Sequence, residues 1–139
     1  MKVTFEKLKQ IDKVHGRLLG IKTFKETKLG YAFKRFSEKN IKKPFEEYAS
    51  KLEDLRIDNA LEDTTTKAIL YEADGSYKFS KEGKKTLIKQ MRDEESKWLD
   101  KEFEVEPFIC KDIPVEVKFE EHEVELLEGL IITSPKKDK

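Results

Sequence analysis

The stretch Ile69 to Phe79 sets two β-prone runs, Ile69-Leu70-Tyr71-Glu72 and Ser76-Tyr77-Lys78-Phe79, around Asp74-Gly75. Asp-Gly tolerates the positive φ angles of a tight turn, so the chain is expected to reverse here as a β-hairpin between two helical regions. A two-residue loop would set Glu72 opposite Tyr77 and mix polar with apolar groups on each face. A three-residue loop, Ala73 to Gly75 with Gly75 left-handed, pairs Tyr71 with Tyr77 and Ile69 with Phe79 and leaves one apolar face. The second register is the expected one.

Upstream, Phe5, Leu8, Ile11, Val14, Leu18 and Leu19 recur at steps of three or four, which lines one face of a helix. Gly20 is a natural stop, and Thr23 with Glu26 has the spacing of a capping box for a new start. The apolar positions then run Leu29, Phe33 and Phe36, lose phase, and resume as Phe45, Tyr48, Leu52 and Leu55. Pro44 sits where the phase is lost. It has no N–H for the helical bond and its ring crowds the preceding turn, so a break is expected between Asn40 and Lys43, with Pro44 in the first turn of the next helix.

Downstream, Ser80 reads as an N-cap for a helix whose face is traced by Leu87, Ile88, Met91, Trp98 and Leu99 and which ends near Phe103. The period then changes. Ile113, Val115, Val117 and Phe119 alternate with polar residues as a half-buried strand does, with Val105 to Cys110 as a candidate partner limited to an edge by Pro107. Val124, Leu127, Leu130 and Ile131 return to helical spacing in a short acidic helix from about Glu120. The expected class is α+β and mostly helical, with four to five helices, the hairpin, and one or two further short strands in a small antiparallel sheet. One domain is expected over residues 1–133, followed by a polar tail, 134–139, that is expected to be flexible.

At 139 residues the chain can hide about two-thirds of its unfolded surface without disulfides or metals. Charged residues make up 42% of it, so wide solvated faces are expected. The 29 basic and 29 acidic residues cancel, which removes any global field that would pull the chain onto nucleic acid or an anionic membrane. The one cysteine, Cys110, excludes an intrachain disulfide and reads as a small strand hydrophobe. No apolar run approaches the roughly 18 residues of a membrane span, and the first residues lack a secretory apolar core. His15 and His122 have no neighbours at metal-ligand spacing, and no nucleophile elbow or phosphate-cradling glycine loop is present. No catalytic residue, metal ligand or cofactor is therefore expected.

Charge is segregated along the chain. Residues 22–43 hold eight Lys or Arg against two Glu, whereas residues 44–63 hold seven acids against two bases. Lys34, Arg35, Lys39, Lys42 and Lys43 interleave with Phe33 and Phe36, and Lys78, Lys81, Lys84, Lys85, Lys89 and Arg92 form a second cluster. Together they could track a phosphate backbone. The plainer expectation is that the acidic stretches 44–63 and 93–106 neutralise them, with Phe33, Phe36 and Trp98 in the core.

The order of elements resembles an uncharacterised family of small tailed-bacteriophage proteins. The likeness is carried by Leu29-Gly30-Tyr31-Ala32-Phe33-Lys34-Arg35, an acidic continuation to about Leu61, and the short Asp-Gly element. It continues in Arg92-Asp93-Glu94-Glu95-Ser96-Lys97-Trp98-Leu99 and closes on Val124 to Ile131. The resemblance implies a phage gene product made in the cytoplasm of a bacterial host, carried in the virion or used in assembly. It transfers no activity. The expected function is thus a non-enzymatic accessory, virion or assembly protein that contacts another phage or host protein, with no membrane partner. Nucleic-acid binding through 34–43 and 78–92, and inhibition of a host protein, are the alternatives.

Overall fold

The apolar spacing from Phe5 builds helix α1, Phe5–Leu18, whose first turn is capped by the Thr4 hydroxyl accepting from the Lys7 N–H at 3.2 Å. Phe5, Leu8, Ile11, Val14 and Leu18 are buried along one face of it. A computed structural model describes residues 1–133, and the expected tail, 134–139, lies outside the described residues. The chain divides into two compact units, Met1–Pro44 with the chain from Asp100 onward, and Phe45–Leu99.

In the first unit, the capping box expected at Thr23 is corrected. Phe24–Glu26 is a single 3-10 turn, and helix α2, Lys28–Phe36, is capped by Thr27, whose hydroxyl accepts from the Gly30 N–H at 3.0 Å. Leu29, Phe33 and Phe36 are buried, as their spacing implies. The 3-10 turn lies so close to α2 that a Cβ on Gly30 would stand 2.2 Å from the Phe24 carbonyl oxygen. His15 of α1 stacks on Phe33 with ring centroids 5.2 Å apart and meets the edge of Phe24. Burial holds its imidazole below the ordinary value of 6.5, partly offset by Asp12, so protonation below that pH works against this cluster.

The break expected between Asn40 and Lys43 is also corrected. Ser37–Ile41 forms a π turn, in which the Lys42 N–H donates to Ser37, and helix α3, Lys42–Asn59, follows directly. Pro44 cannot donate to the Asn40 carbonyl and its ring would crowd it. The wide turn is the helix's alternative to breaking. It turns two consecutive residues, Asn40 and Ile41, into the core.

The antiparallel sheet of this unit is β1, Lys2–Thr4, against β2, Glu102–Glu104, with Val3 opposite Phe103. The strand expected over 113–119 is absent. Val115 is 82% exposed while Val117 is buried, and the segment has no ladder. Val105 to Cys110 is extended, but its partner is the chain after the last helix. The N–H groups of Phe108 and Cys110 donate to Leu130 and Ile131 at 2.8 and 2.7 Å. Helix α5, Glu121–Leu127, precedes that partner and is closed at its start by the Glu123 carboxylate accepting from the Glu120 N–H at 2.9 Å.

In the second unit, α3 from Phe45 and helix α4, Lys81–Leu99, run antiparallel and meet through side chains. Tyr48 meets Trp98 at 5.5 Å between rings, and at the other end Asn59 donates to Gln90 at 2.8 Å. Ser80 caps α4, accepting from the Gly83 N–H at 2.9 Å, but the helix ends at Leu99 and not near Phe103. Trp98 is buried, as expected. Between the helices, Leu61, Leu70 and Lys78 are joined by main-chain hydrogen bonds. At its tip the hairpin takes the three-residue-loop register, with Tyr71 bridged to Tyr77 and Gly75 at φ +89°, but the second expected pair is corrected: Ile69 is bridged to Glu62 and not to Phe79. It consists of single bridges and not of full strands.

Gly30 and Gly16 make a matched pair of helical glycines. Gly30→Ala forces a methyl group against the Phe24 backbone and is expected to destabilise by about 3 kcal/mol. Gly16→Ala meets nothing within 4 Å and is expected to stabilise by about 0.5–1 kcal/mol. Urea unfolding of the two variants beside the parent protein measures both.

Candidate functional site

The basic residues picked out in the sequence are all exposed, and they divide between the units. Lys34 and Arg35 lie on α2, Lys39 on the π turn, and Lys42 and Lys43 at the start of α3, all in the first unit. Lys81, Lys84, Lys85 and Lys89 lie on α4 in the second. Among the described residues, Lys39 alone of these nine is within ion-pair range of a carboxylate, Glu106 at 3.9 Å with both side chains well exposed. Lys81, Lys85 and Lys89 follow one another at i, i+4, on the side of α4 away from Leu87 and Trp98. Like charges at that spacing destabilise a helix by about 0.2–0.5 kcal/mol per pair, and Lys81 also sits at the positive end of the helix dipole.

Arg35 has a different environment. Its guanidinium lies 5.9 Å from the Tyr31 ring centroid and 5.3 Å from that of Phe108, and Nη1 donates to the Tyr31 hydroxyl at 3.3 Å. Tyr31 and Arg35 are one turn apart on α2, and Phe108 comes from the extended segment that faces this helix. Between α2 and Phe108–Asp112 runs a groove of about 590 Å³. Its helical wall is Lys28, Tyr31, Ala32 and Arg35, one face of α2 read at i, i+3, i+4 and i+7. Tyr31 is 58% exposed and Ile109 43%. At the end of the groove Lys28 pairs with Asp112 at 3.4 Å.

The far wall is held by Asn40. This side chain is buried, and its carboxamide makes two hydrogen bonds to the main chain of Glu106: Nδ2 donates to the Glu106 carbonyl and the Glu106 N–H donates to Oδ1, both at 2.8 Å. The amide acts as a peptide group would in a ladder, just before Pro107, whose nitrogen has no hydrogen to offer. The π turn, the Asn40 clamp and the wall of the groove are one construction.

A second depression, about 450 Å³, lies between α1 and α5 and includes Arg17, His122 and Glu123. Arg17 Nη2 is 2.8 Å from each carboxylate oxygen of the buried Glu123, which also closes the start of α5. Burial alone would raise the Glu123 pKa; the Glu120 N–H and the Arg17 guanidinium outweigh it and hold the carboxylate below its ordinary value of 4.5. Arg17 thus commits Nη2 to Glu123, while its side chain stays about half exposed. His122 is exposed beside Glu120 at 3.4 Å, and among the described residues no group of three His, Cys, Asp or Glu side chains is placed to hold a metal.

Sequence reasoning singled out Arg35 but missed Tyr31, Asn40, Phe108 and Ile109. The i, i+4 step from Tyr31 to Arg35, with Tyr31 off the Leu29–Phe33–Phe36 face, was a readable sign of an exposed aromatic–cation pair. Nothing local in Phe108-Ile109 announced the other wall.

The depressed Glu123 pKa means that its pairing stabilises the fold fully above pH 4.5 and is lost as pH falls through the lower folded value. Glu123→Gln is expected to cost about 1–2 kcal/mol at pH 7, discounted because Arg17 is half exposed, with the gap to the parent protein closing below pH 4.5. Thermal melts from pH 7 to pH 3 measure this.

No known protein-family model, curated protein or solved structure matches the chain.

Proposed function

We propose that the protein is a non-enzymatic binding component that acts through protein–protein contacts, and that the groove between α2 and Phe108–Asp112 is its contact surface. The observation that carries this reading is the Tyr31–Arg35–Phe108 stack beside exposed Ile109. Large aromatics and arginine are enriched where partners bury most of their binding energy, and a stacked guanidinium is already ordered before a partner arrives. Ile113, 44% exposed, extends the apolar surface past Asp112.

The setting proposed for this activity is a tailed bacteriophage, with the chain made in the host cytoplasm and acting as an accessory, virion or assembly protein; its support is the outline of helices and charge blocks. A second reading, polyanion binding on α4, is favoured by Lys81, Lys85 and Lys89, which carry like charges in series with no acid in ion-pair range among the described residues. It predicts an affinity for DNA or RNA that falls steeply with salt.

The test is co-sedimentation with virions or assembly intermediates from infected cells. The parent protein is expected in the particle fractions, and Tyr31→Ala combined with Ile109→Asp should lower its amount there about tenfold or more. Loss of association only after Lys81, Lys85 and Lys89 are replaced by Gln would move the contact to α4. A parent protein that stays with no particle removes the reading.

A further inference from the structure

The main-chain hydrogen bonds of the groove's far wall are lopsided. In an extended segment successive peptide groups point to opposite edges. Phe108 and Cys110 spend their N–H groups on Leu130 and Ile131, and Cys110 is bridged in parallel to Ile132. The opposite edge belongs to Ile109 and Lys111. Among the described residues the N–H groups of Ile109 and Lys111 have no acceptor and the Ile109 carbonyl has no donor. Among the described residues the segment is therefore extended, bonded along one edge through two main-chain hydrogen bonds and a single bridge and open along the other, and Ile109 and Lys111 of that open edge line the groove of about 590 Å³ beside the Lys28–Arg35 face of α2.

An open strand edge facing a helix across a groove is the geometry of strand addition: an extended peptide completes the ladder through its main chain and places alternate side chains toward the helix. From Lys28 to Arg35 the wall is about 10 Å long at the rise of a helix, enough for three or four residues of a strand. The charge around it is one-sided. Lys28, Arg35 and Lys111 stand along the groove against the single acid Asp112, which Lys28 already engages. Between the cations lie Tyr31, Ala32 and Ile109, which offer apolar contact.

Resting on the contact surface named above, we infer that this groove takes an extended acidic segment of a partner protein, which adds as a strand to the Ile109–Lys111 edge. Its carboxylates meet Arg35 and Lys111, and its alternate apolar side chains pack on Tyr31 and Ala32. Strand addition supplies affinity through main-chain bonds and leaves selectivity to charge and side-chain size, which suits a chain whose groove is short.

The experiment titrates the full-length ¹⁵N-labelled protein with a capped octapeptide alternating valine and glutamate. Four controls accompany it: the same peptide with lysine for glutamate, two versions N-methylated on all valines or on all glutamates, and an oligothymidylate. The expected result is a downfield shift of the Ile109 and Lys111 amides with the glutamate peptide, loss of that shift with one of the two N-methylated forms, and about tenfold weaker binding in Arg35→Gln. Ile109→Pro removes the outward N–H while leaving the Phe108 and Cys110 bonds intact, and should weaken binding similarly. Should it fail to fold, the N-methylated peptides report the same bond from the ligand side.

The inference is overturned by no shift at millimolar peptide, by equal response to the lysine peptide, or by binding that survives both N-methylated forms. Movement of Tyr31 and Arg35 signals by oligothymidylate alone would make the groove a nucleic-acid site instead. The two levels separate cleanly. A peptide that fails while Tyr31→Ala with Ile109→Asp still abolishes co-sedimentation sinks strand addition and spares the contact surface; a peptide that binds while co-sedimentation is untouched does the reverse.

Discussion

The Asn40 carboxamide holds both main-chain groups of Glu106 at 2.8 Å from inside the core of the first unit. A buried amide left without partners loses about 1–3 kcal/mol, so the helix that carries Asn40 and the segment that carries Glu106 are fixed to one another. Three features of the sequence meet at this point. Pro44 prevents an ordinary helical turn before it, the π turn that results rotates Asn40 inward, and Pro107 leaves Glu106 as the last residue able to join a ladder before the groove wall begins. Because Phe108 then turns its ring to Arg35, the order of the groove follows from the clamp and not from the groove residues themselves.

The second unit is built on less burial. Among its described residues only Leu87 and Trp98 are buried, while Ile57, Leu61, Leu70, Tyr71 and Ile88 stay exposed. Polar bonds make up part of the difference: the Tyr77 hydroxyl donates to Glu53 at 2.7 Å, the Trp98 indole to Glu94 at 2.8 Å, and Asn59 to Gln90. Hydrogen bonds of this kind contribute about 0.5–1.5 kcal/mol each. A helix that also carries three lysines in series, with no acid in ion-pair range among the described residues, is a local conflict of the sort that functional surfaces retain.

How far the sequence could be read depended on whether the deciding force was local. The α1 stripe, the burial of Phe33, Phe36 and Trp98, the Ser80 cap, and the register that sets Tyr71 opposite Tyr77 all follow from side-chain period and turn chemistry within a few residues. The failures are long-range. β1 is three residues long and pairs with a strand about a hundred residues away, so it left no periodic trace. The alternation at Ile113 to Phe119 resembled a strand, yet among the described residues nothing pairs with it and Val115 is left in solvent. Pro44 was recognised as a disturbance, but break and π turn satisfy the same local constraint, and Asn40 finding Glu106 decides between them. Arg35 was picked out for its charge; its orientation between Tyr31 and Phe108 is a property of the fold.

The measurement that bears most directly on this account is amide hydrogen exchange at Glu106, whose N–H is held by the Asn40 side chain. The clamp predicts slow exchange at Glu106 in the parent protein. In Asn40→Ala it predicts loss of protection together at Glu106, Phe108 and Cys110, while Ile11 and Val14 in the middle of α1 keep theirs. Fast exchange at Glu106 in the parent protein, or protection of Phe108 and Cys110 unchanged in the variant, would contradict it.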